Sequence, residues 1–268
     1  MSEITPSPPS PDAPPEGGAL RDKFDAMLLD ISNVVNCNFP NDWGIDDTED
    51  ALALSGVDDA SLKDCIVDAS ASVWGVLTMR PAQLDACFCL LHPHRPNSLV
   101  VVHRSGGGET HILRTLGVIE RGIVLICIPL LTLSADVMHK FEDYNPRWGN
   151  VGVYHLDELY DCNRHLYHSL LRGCTSLGRE TSSTLFIFLS PQFLINHRDA
   201  LDVFVACAHD RTLRVIAMDE AHIHVQHGTS IREDIWALRI EFFKKIFGNQ
   251  PKDLHPRLIA LTATLPTT

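Results

Sequence analysis

Two segments of the chain combine residue types that bind phosphate and divalent metal. The first, Gly106-Gly-Gly-Glu-Thr110, is a glycine-rich turn between an apolar run and a stretch with helical periodicity. Glycines let backbone N–H groups converge on an anion, and a helix N-terminus favours negative charge. The second, Asp219-Glu-Ala-His222, places two carboxylates directly after the apolar run Leu213–Met218. Such an aspartate can hold Mg²⁺ and the glutamate can polarise an attacking water, so the two segments predict a nucleotide-hydrolase site.

The glycine-rich turn departs from the phosphate-loop pattern G-x-x-x-x-G-K-[ST]. Gly108 and Thr110 stand at the last glycine and the hydroxyl position, but Glu109 stands at the lysine position and His103 at the first glycine. Taken alone, the turn is equally consistent with an ordinary strand-to-helix connection. Two unit charges about 4 Å apart interact by roughly 4 kcal/mol at an effective dielectric near 20. Replacing the attraction between a lysine and the phosphates by the repulsion of Glu109 therefore predicts an ATP affinity that is lower by several powers of ten.

A metal centre built from histidine or cysteine is not favoured. The histidines near the acidic pair, His222, His224 and His227, fit no common zinc spacing. The eight cysteines include no CxxC pair, and several lie in apolar runs. Buried free thiols are therefore favoured over disulfides or a zinc site.

The elements that must position these residues alternate along the second part of the chain. Continuous apolar runs predict strands at Ser98–Val102, Ile123–Ile128, Leu185–Leu189, Leu213–Met218 and Leu258–Leu261. Helical periodicity lies between them, at Ala82–Leu91, Leu130–Phe141, Glu158–Leu171 and Ile231–Ile246. This order predicts an α/β fold with a mainly parallel sheet covered by helices on both faces, in which ligands bind at the carboxyl ends of the strands. We expect the turn at Gly106–Thr110 and the acids Asp219 and Glu220 to meet at adjoining strand tips around a triphosphate.

Composition divides the chain into three parts. Residues 1–18, rich in Pro, Ser and Gly, are predicted to be a disordered tail. Residues 19–70 are predicted to form an acidic, partly helical appendage, with an amphipathic helix from Ala19 to about Val35. Residues 71–268 are the predicted globular domain. Residues 1–70 hold 15 acidic and 3 basic side chains, whereas residues 71–268 hold 19 of each, so all the net charge of −12 lies in the first two parts. A neutral body weakens a nucleic-acid interpretation without excluding it, because charge can be segregated on one face.

Six segments, in order, resemble motifs of RecQ-like DEAD/DEAH-box (superfamily 2) helicases. They are Trp74–Gln83, Ser105–Thr110, Pro129–Leu133, Ser190–Gln192, Asp219–His222 and Leu261–Thr264. Gln226-His-Gly228 and Arg232 resemble the family's aromatic-rich loop, with His227 in place of a tryptophan, and Val76 stands where an adenine-stacking aromatic is usual.

The resemblance implies the first RecA-like P-loop NTPase domain of a 3′–5′ DNA helicase, with ATP and Mg²⁺ as cofactors. The residues assigned to ATP are Arg80 and Gln83 at the adenine, and Ser105, Gly106, Gly107, Gly108, Glu109 and Thr110 at the phosphates. Mg²⁺ is assigned to Thr110 and Asp219, and catalysis to Asp219, Glu220 and His222. Thr262 and Thr264 are assigned to coupling, and Pro129, Leu130, Gln226 and Arg232 to single-stranded or forked DNA.

The resemblance also implies a second motor domain, which supplies an arginine finger, and no sequence after Thr264 can form one. Two alternatives stay open. The chain is either such a helicase domain, degenerate or truncated, or a catalytically inactive module that binds nucleic acid or a protein partner. A small-molecule P-loop kinase would need neither the Arg-Pro-x-Gln segment nor the DEAH segment. The chain has no apolar run long enough for a membrane span and no signal peptide, so a nuclear or cytoplasmic location is expected.

Overall fold

The computed structural model describes residues 58–92, 97–102, 107–128, 138, 140–141, 151–178, 181–221, 238–248 and 255–262. In this part of the chain the fold is α/β, with one six-stranded sheet in which every neighbouring pair is parallel. The strands are β1 (Ser98–Val102), β2 (Gly122–Cys127), β3 (Val151–His155), β4 (Thr184–Leu189), β5 (Leu213–Met218) and β6 (Arg257–Thr262). Their order across the sheet is β1-β6-β5-β2-β4-β3. The predicted parallel sheet is confirmed.

Helices connect the strands and cover both faces of the sheet. They are α1 (Asp59–Trp74), α2 (Pro81–Leu91), α3 (Glu109–Glu120), α4 (Leu156–Cys162), α5 (Arg164–Ser176), α6 (Pro191–Asn196), α7 (Arg198–His209) and, after a π-helical turn at Arg239–Phe243, α8 (Lys244–Phe247). One core lies between the sheet and α1, α2 and α3, and a second lies between the sheet and α4 to α8. Alternate residues of a central strand enter opposite cores, as Val124 and Leu125 of β2 do. Burial on both faces explains why β2 carries no polar side chain and why the other central strands are apolar over most of their length.

The first helix crosses the boundary that composition predicted between residues 70 and 71. α1 begins at Asp59, where the Asp58 side chain accepts a hydrogen bond from Ser61 N at 2.7 Å, and it ends at Gly75 in a left-handed conformation. Its apolar side places Leu62 and Ile66 in the same core as α2 and α3. The folded unit therefore starts no later than Asp58. Composition placed the boundary later because the exposed positions of this helix are acidic, although its other side is buried.

Other elements differ from the predictions in detail. The edge strand β3 was not predicted, because Gly152, Tyr154 and His155 interrupt the apolar run that marks the other strands. The single helix predicted over Glu158–Leu171 is two helices, since Asn163 ends α4 and its side chain accepts a hydrogen bond from Leu166 N to begin α5. The tail 1–18, the helix from Ala19 and most of the helix predicted at Leu130–Phe141 lie outside the described residues. The first part of the helix predicted at Ile231–Ile246 also lies outside them, and its second part is the π-helical turn followed by α8.

The cysteine prediction is confirmed for the described residues. Seven of the eight cysteines lie there, and all seven are free. Five are buried, Cys89 is partly buried and Cys162 is exposed. Burial raises the pKa of the Cys127 thiol to about 12, so this thiol stays protonated and packs as a small apolar side chain.

Candidate nucleotide site

Three strands bring predicted site residues to the carboxyl edge of the sheet. β1 leads toward the glycine-rich turn, β5 ends immediately before Asp219, and β6 ends at Thr262. β6 lies between β1 and β5 and pairs with both. The expectation that the glycine turn and the acids occupy adjoining strands was therefore wrong by one strand. Neighbouring strands are about 4.8 Å apart, so the ends of β1 and β5 are separated by roughly 10 Å, with Thr262 on the strand between them.

The described part of the glycine turn forms the start of α3. Gly108 has φ of 87° and its carbonyl accepts the first helical hydrogen bond, from His111 N at 2.9 Å. A Cβ at Gly108 would lie 2.1 Å from Gln83 Nε2, so this position requires glycine for its backbone conformation and for the approach of the glutamine. Glu109 and Thr110 are the first two residues of α3, and both are partly buried.

The helix N-terminus at Glu109 is the place where a phosphate is expected. A negative charge there is stabilised by the helix dipole, whether it belongs to a ligand or to the protein. Glu109 is the acidic residue in the first turn of α3. Glu109, which stands at the lysine position of the phosphate-loop pattern, thus puts the protein's own carboxylate at this anion-favouring position.

Gln83 connects the predicted adenine segment to the glycine turn. Its Oε1 accepts a hydrogen bond from Arg80 N at 3.0 Å, and its Nε2 donates to the carbonyls of Gly108 at 3.0 Å and Gly107 at 3.3 Å. The side chain is buried, whereas Arg80 is exposed at the start of α2. The structure thus brings the two segments that were assigned to one nucleotide into direct contact.

A second connection joins α3 to the same segment, and sequence reasoning missed it. His111 Nε2 and Ser70 Oγ are 2.8 Å apart, and Ser70 Oγ donates to the carbonyl of Val76 at 3.1 Å. Because the serine proton is used there, the imidazole donates from Nε2 to Ser70. Burial, followed by the nearby Arg114, lowers the pKa of His111 to about 4, so the imidazole is neutral at pH 7. The only sequence signal was a histidine on the apolar side of α3.

The acidic end of the site is held by local backbone contacts. Asp219 N donates to Cys127 O at 2.9 Å, and Glu220 N donates to Asp219 Oδ1 at 3.0 Å. Glu220 has φ of 48°, a left-handed conformation that non-glycine residues seldom adopt and that often marks functional sites. Burial and then the neighbouring Glu220 raise the pKa of Asp219, while the hydrogen bond from Glu220 N and the charge of Lys140 act in the opposite direction.

The donor types fit a magnesium ion shared with phosphate. Mg²⁺ prefers oxygen ligands and is commonly held by one or two protein groups plus phosphate oxygens and water. Thr110 offers a hydroxyl on α3, and Asp219 offers a carboxylate immediately after β5. In the described ranges no three His, Cys, Asp or Glu side chains converge as a complete protein metal site.

Ser190, in the segment that resembles the family's Pro-Glu motif, has a structural role at the end of β4. Its hydroxyl donates to Asp157 Oδ1 at 2.6 Å and accepts from Phe193 N at 3.0 Å, which caps α6. Its backbone N donates to Asp157 Oδ2 at 3.0 Å. These bonds tie the ends of β3 and β4 together at the same edge of the sheet as the predicted site.

Several predicted site residues lie outside the described part of the chain. They are Ser105, Gly106, Pro129, Leu130, His222, Gln226, Arg232 and Thr264. Of the predicted residues that the structure describes, Asp219, Glu220 and Thr262 lie at the carboxyl ends of β5 and β6, and the others lie at the beginnings of α2 and α3. These others are Arg80, Gln83, Gly107, Gly108, Glu109 and Thr110.

A scan of the sequence against protein-family models gives no match, and a search of curated proteins gives none either. Among the helices that the structure describes, none combines the length and apolar character needed to cross a bilayer.

Proposed function

We propose that the chain is the nucleotide-binding motor domain of a RecQ-like 3′–5′ DNA helicase with a degenerate phosphate loop. The observation that supports this most is the arrangement at one edge of the sheet. The described end of the glycine turn begins α3 after β1, the acidic pair follows β5, and Thr262 ends β6, the strand between them. Gln83 also touches the glycine turn. Sequence motifs more than 100 residues apart thus belong to one edge of the sheet, which supports a nucleotide site there.

In this proposal ATP lies with its phosphates at the N-terminus of α3. The backbone of Gly107 and Gly108 cradles the phosphates, and Thr110 and Asp219 hold Mg²⁺. Glu220 would position the attacking water. Thr262 would couple hydrolysis of the nucleotide to movement of a second motor domain bound at the carboxyl edge of the sheet. Bound Mg²⁺ would neutralise phosphate charge during hydrolysis.

A second candidate function is a catalytically inactive module that binds nucleic acid or a protein partner. The specific observation in its favour is that the protein supplies its own carboxylate, Glu109, at the N-terminus of α3, where a phosphate would otherwise be expected. The two candidates differ in whether Mg²⁺–ATP binds with useful affinity.

Nucleotide binding by the chain and by Glu109→Lys, compared in one calorimetric titration series, tests the proposal. We expect Mg²⁺–ATP affinity to rise at least about a hundredfold in Glu109→Lys, since a charge reversal within about 4 Å of a phosphate is worth several kcal/mol. Micromolar Mg²⁺-dependent binding by the unaltered chain would remove the inactive-module candidate.

The matched control is Asp202→Lys, which makes the same change in net charge at an exposed position of α7 on the other face of the sheet. It should leave nucleotide affinity unchanged. Equal affinities of Glu109→Lys and Asp202→Lys for Mg²⁺–ATP would show that the phosphate site has been placed wrongly.

A further inference from the structure

The Gln83 side chain is committed to protein partners. Its oxygen accepts from Arg80 N, and its nitrogen donates to the carbonyls of both Gly107 and Gly108. The residue is only 6% exposed. An amide nitrogen has two N–H donors, and two carbonyls occupy them here. The resemblance to helicases assigns this glutamine to the adenine base, but in this structure its donors face the glycine turn.

These bonds determine where the N–H groups of the turn point. In a trans peptide unit the C=O and the N–H point in opposite directions, and no peptide bond in the described residues is cis. The carbonyl of Gly107 shares its peptide unit with Gly108 N, and the carbonyl of Gly108 shares its unit with Glu109 N. When Gln83 holds both carbonyls, it directs the N–H groups of Gly108 and Glu109 away from α2, as an anion cradle requires.

The absence of a side chain at Gly108 is a condition of the same contact. A Cβ at Gly108 would meet Gln83 Nε2 at 2.1 Å, so the glycine leaves room for the amide to reach the backbone. Gly108 also has the left-handed φ of 87°. The turn and the glutamine are therefore shaped to fit each other across 25 residues of sequence.

We propose that Gln83 is a positioning residue that sets the phosphate loop and thereby phosphate affinity, and that it does not select the base. This inference rests on the proposed nucleotide site. A glutamine that turned toward a nucleobase would release the two glycine carbonyls, so base contact and a preset loop exclude each other. Gln83 therefore contributes to phosphate affinity and little to the choice between adenine and guanine.

The test measures base preference and phosphate affinity separately. In the Glu109→Lys background, the affinities of ATP, GTP and inorganic triphosphate are measured with and without Gln83→Met, which keeps the side-chain length and removes the amide. We expect all three affinities to fall by about tenfold, which corresponds to about 1.4 kcal/mol, with the ratio of ATP to GTP affinity unchanged. A loss confined to ATP, with triphosphate binding intact, would make Gln83 a base contact and overturn the proposal.

Hydrogen exchange tests the positioning role without any nucleotide. His111 N is bonded to Gly108 O at 2.9 Å, so its exchange reports how firmly the turn is held. Gln83→Met and Gln83→Glu, which places a carboxylate against the two carbonyls, should each speed exchange at His111 by about tenfold. Asp85→Asn, an exposed change on the same helix, should not. Unchanged exchange at His111 in both Gln83 variants would refute the positioning role.

The two measurements separate this inference from the proposed function. If Glu109→Lys binds no nucleotide while the Gln83 variants loosen the turn, the helicase proposal fails and the glutamine still positions the loop. If Glu109→Lys binds ATP more tightly than GTP and Gln83→Met abolishes that difference, the proposed nucleotide site is supported and the present inference fails.

Discussion

The two ends of the parallel sheet are stabilised in different ways. At the amino end, opposite charges and backbone groups pair directly: Arg257 Nε donates to Glu120 Oε1, and Gly122 N donates to Ser183 O at 2.8 Å. At the carboxyl end, the acids Glu109, Asp219 and Glu220 share one sign of charge, and the pKa of Asp219 is raised. The amino end therefore pairs its charges, whereas at the carboxyl end the partly buried charge of Asp219 costs stability in the absence of a ligand. Such local cost is typical of a ligand site.

The largest effect is expected at the amino end, from Gly122→Ala. Gly122 has φ of 81°, and a Cβ there would lie 2.5 Å from Thr212 O. That carbonyl cannot move away easily, because it accepts a hydrogen bond from Ile123 N at 2.8 Å and Thr212 N is bonded to Cys207 O. We expect the free energy of unfolding to fall by about 3 kcal/mol or more in urea denaturation. Gly173→Ala, in α5 with open space around it, should instead raise stability by up to about 1 kcal/mol. Equal losses in the two variants would contradict the strained turn at Gly122.

An intermediate effect is expected from Glu120→Gln, which keeps the shape of the side chain and removes its charge. The Arg257 and Glu120 side chains are only 20% and 16% exposed, so solvent screens the pair incompletely. We expect a loss of about 1 to 2 kcal/mol in urea denaturation, and most of it should persist at high salt. Asp85→Asn breaks the exposed pair with Lys63, whose atoms are 4.0 Å apart, and should cost no more than about 0.5 kcal/mol. If Glu120→Gln lowers the free energy of unfolding by no more than Asp85→Asn does, the Arg257–Glu120 pair contributes no more than an exposed ion pair.

The smallest effect, of opposite sign, is expected at the carboxyl end. Asp219→Asn removes a partly buried charge next to Glu220 and keeps the oxygen that accepts from Glu220 N. Because the pKa of Asp219 is raised, its charged form destabilises the fold at pH 7, and the variant should be more stable by about 0.5 to 1 kcal/mol. Thermal and urea unfolding at pH 7 measure this gain. The control is Asp202→Asn on exposed α7, which breaks an exposed pair with Lys245 at 4.0 Å and should lose no more than about 0.5 kcal/mol. A less stable Asp219→Asn would mean that the charge of Asp219 does not destabilise the carboxyl end of the sheet.

The sequence was informative wherever a strand consists mainly of apolar residues. β2, β4 and β5 are buried over nearly their whole length, and their apolar runs identified them correctly. β1 is half-exposed at one edge of the sheet, but its three valines still identified it. β3 at the other edge contains Gly152, Tyr154 and His155 and gave no such run. Asn163 carried a helix-capping signal that separates α4 from α5, but the periodicity on both sides concealed it.

The candidate site shows the same limit. Residue types and order predicted that the glycine turn and Asp219 belong to one edge, because all strands run in the same direction. They did not predict that β6 lies between β1 and β5, because strand order depends on how helices pack across the sheet. The bond from Gln83 to Gly108 joins residues 25 positions apart, and only the packing of α2 against α3 brings them together.

The position of α1 also determines how this protein should be prepared for experiments. A fragment starting at residue 71 would lose Leu62, Ile66 and the Ser70 hydroxyl that binds His111, and would expose the apolar sides of α2 and α3 to water. Such a preparation would be expected to aggregate on expression, and a missing nucleotide signal from it would reflect truncation. Fragments that begin ahead of Asp58 retain the helix and keep this core closed.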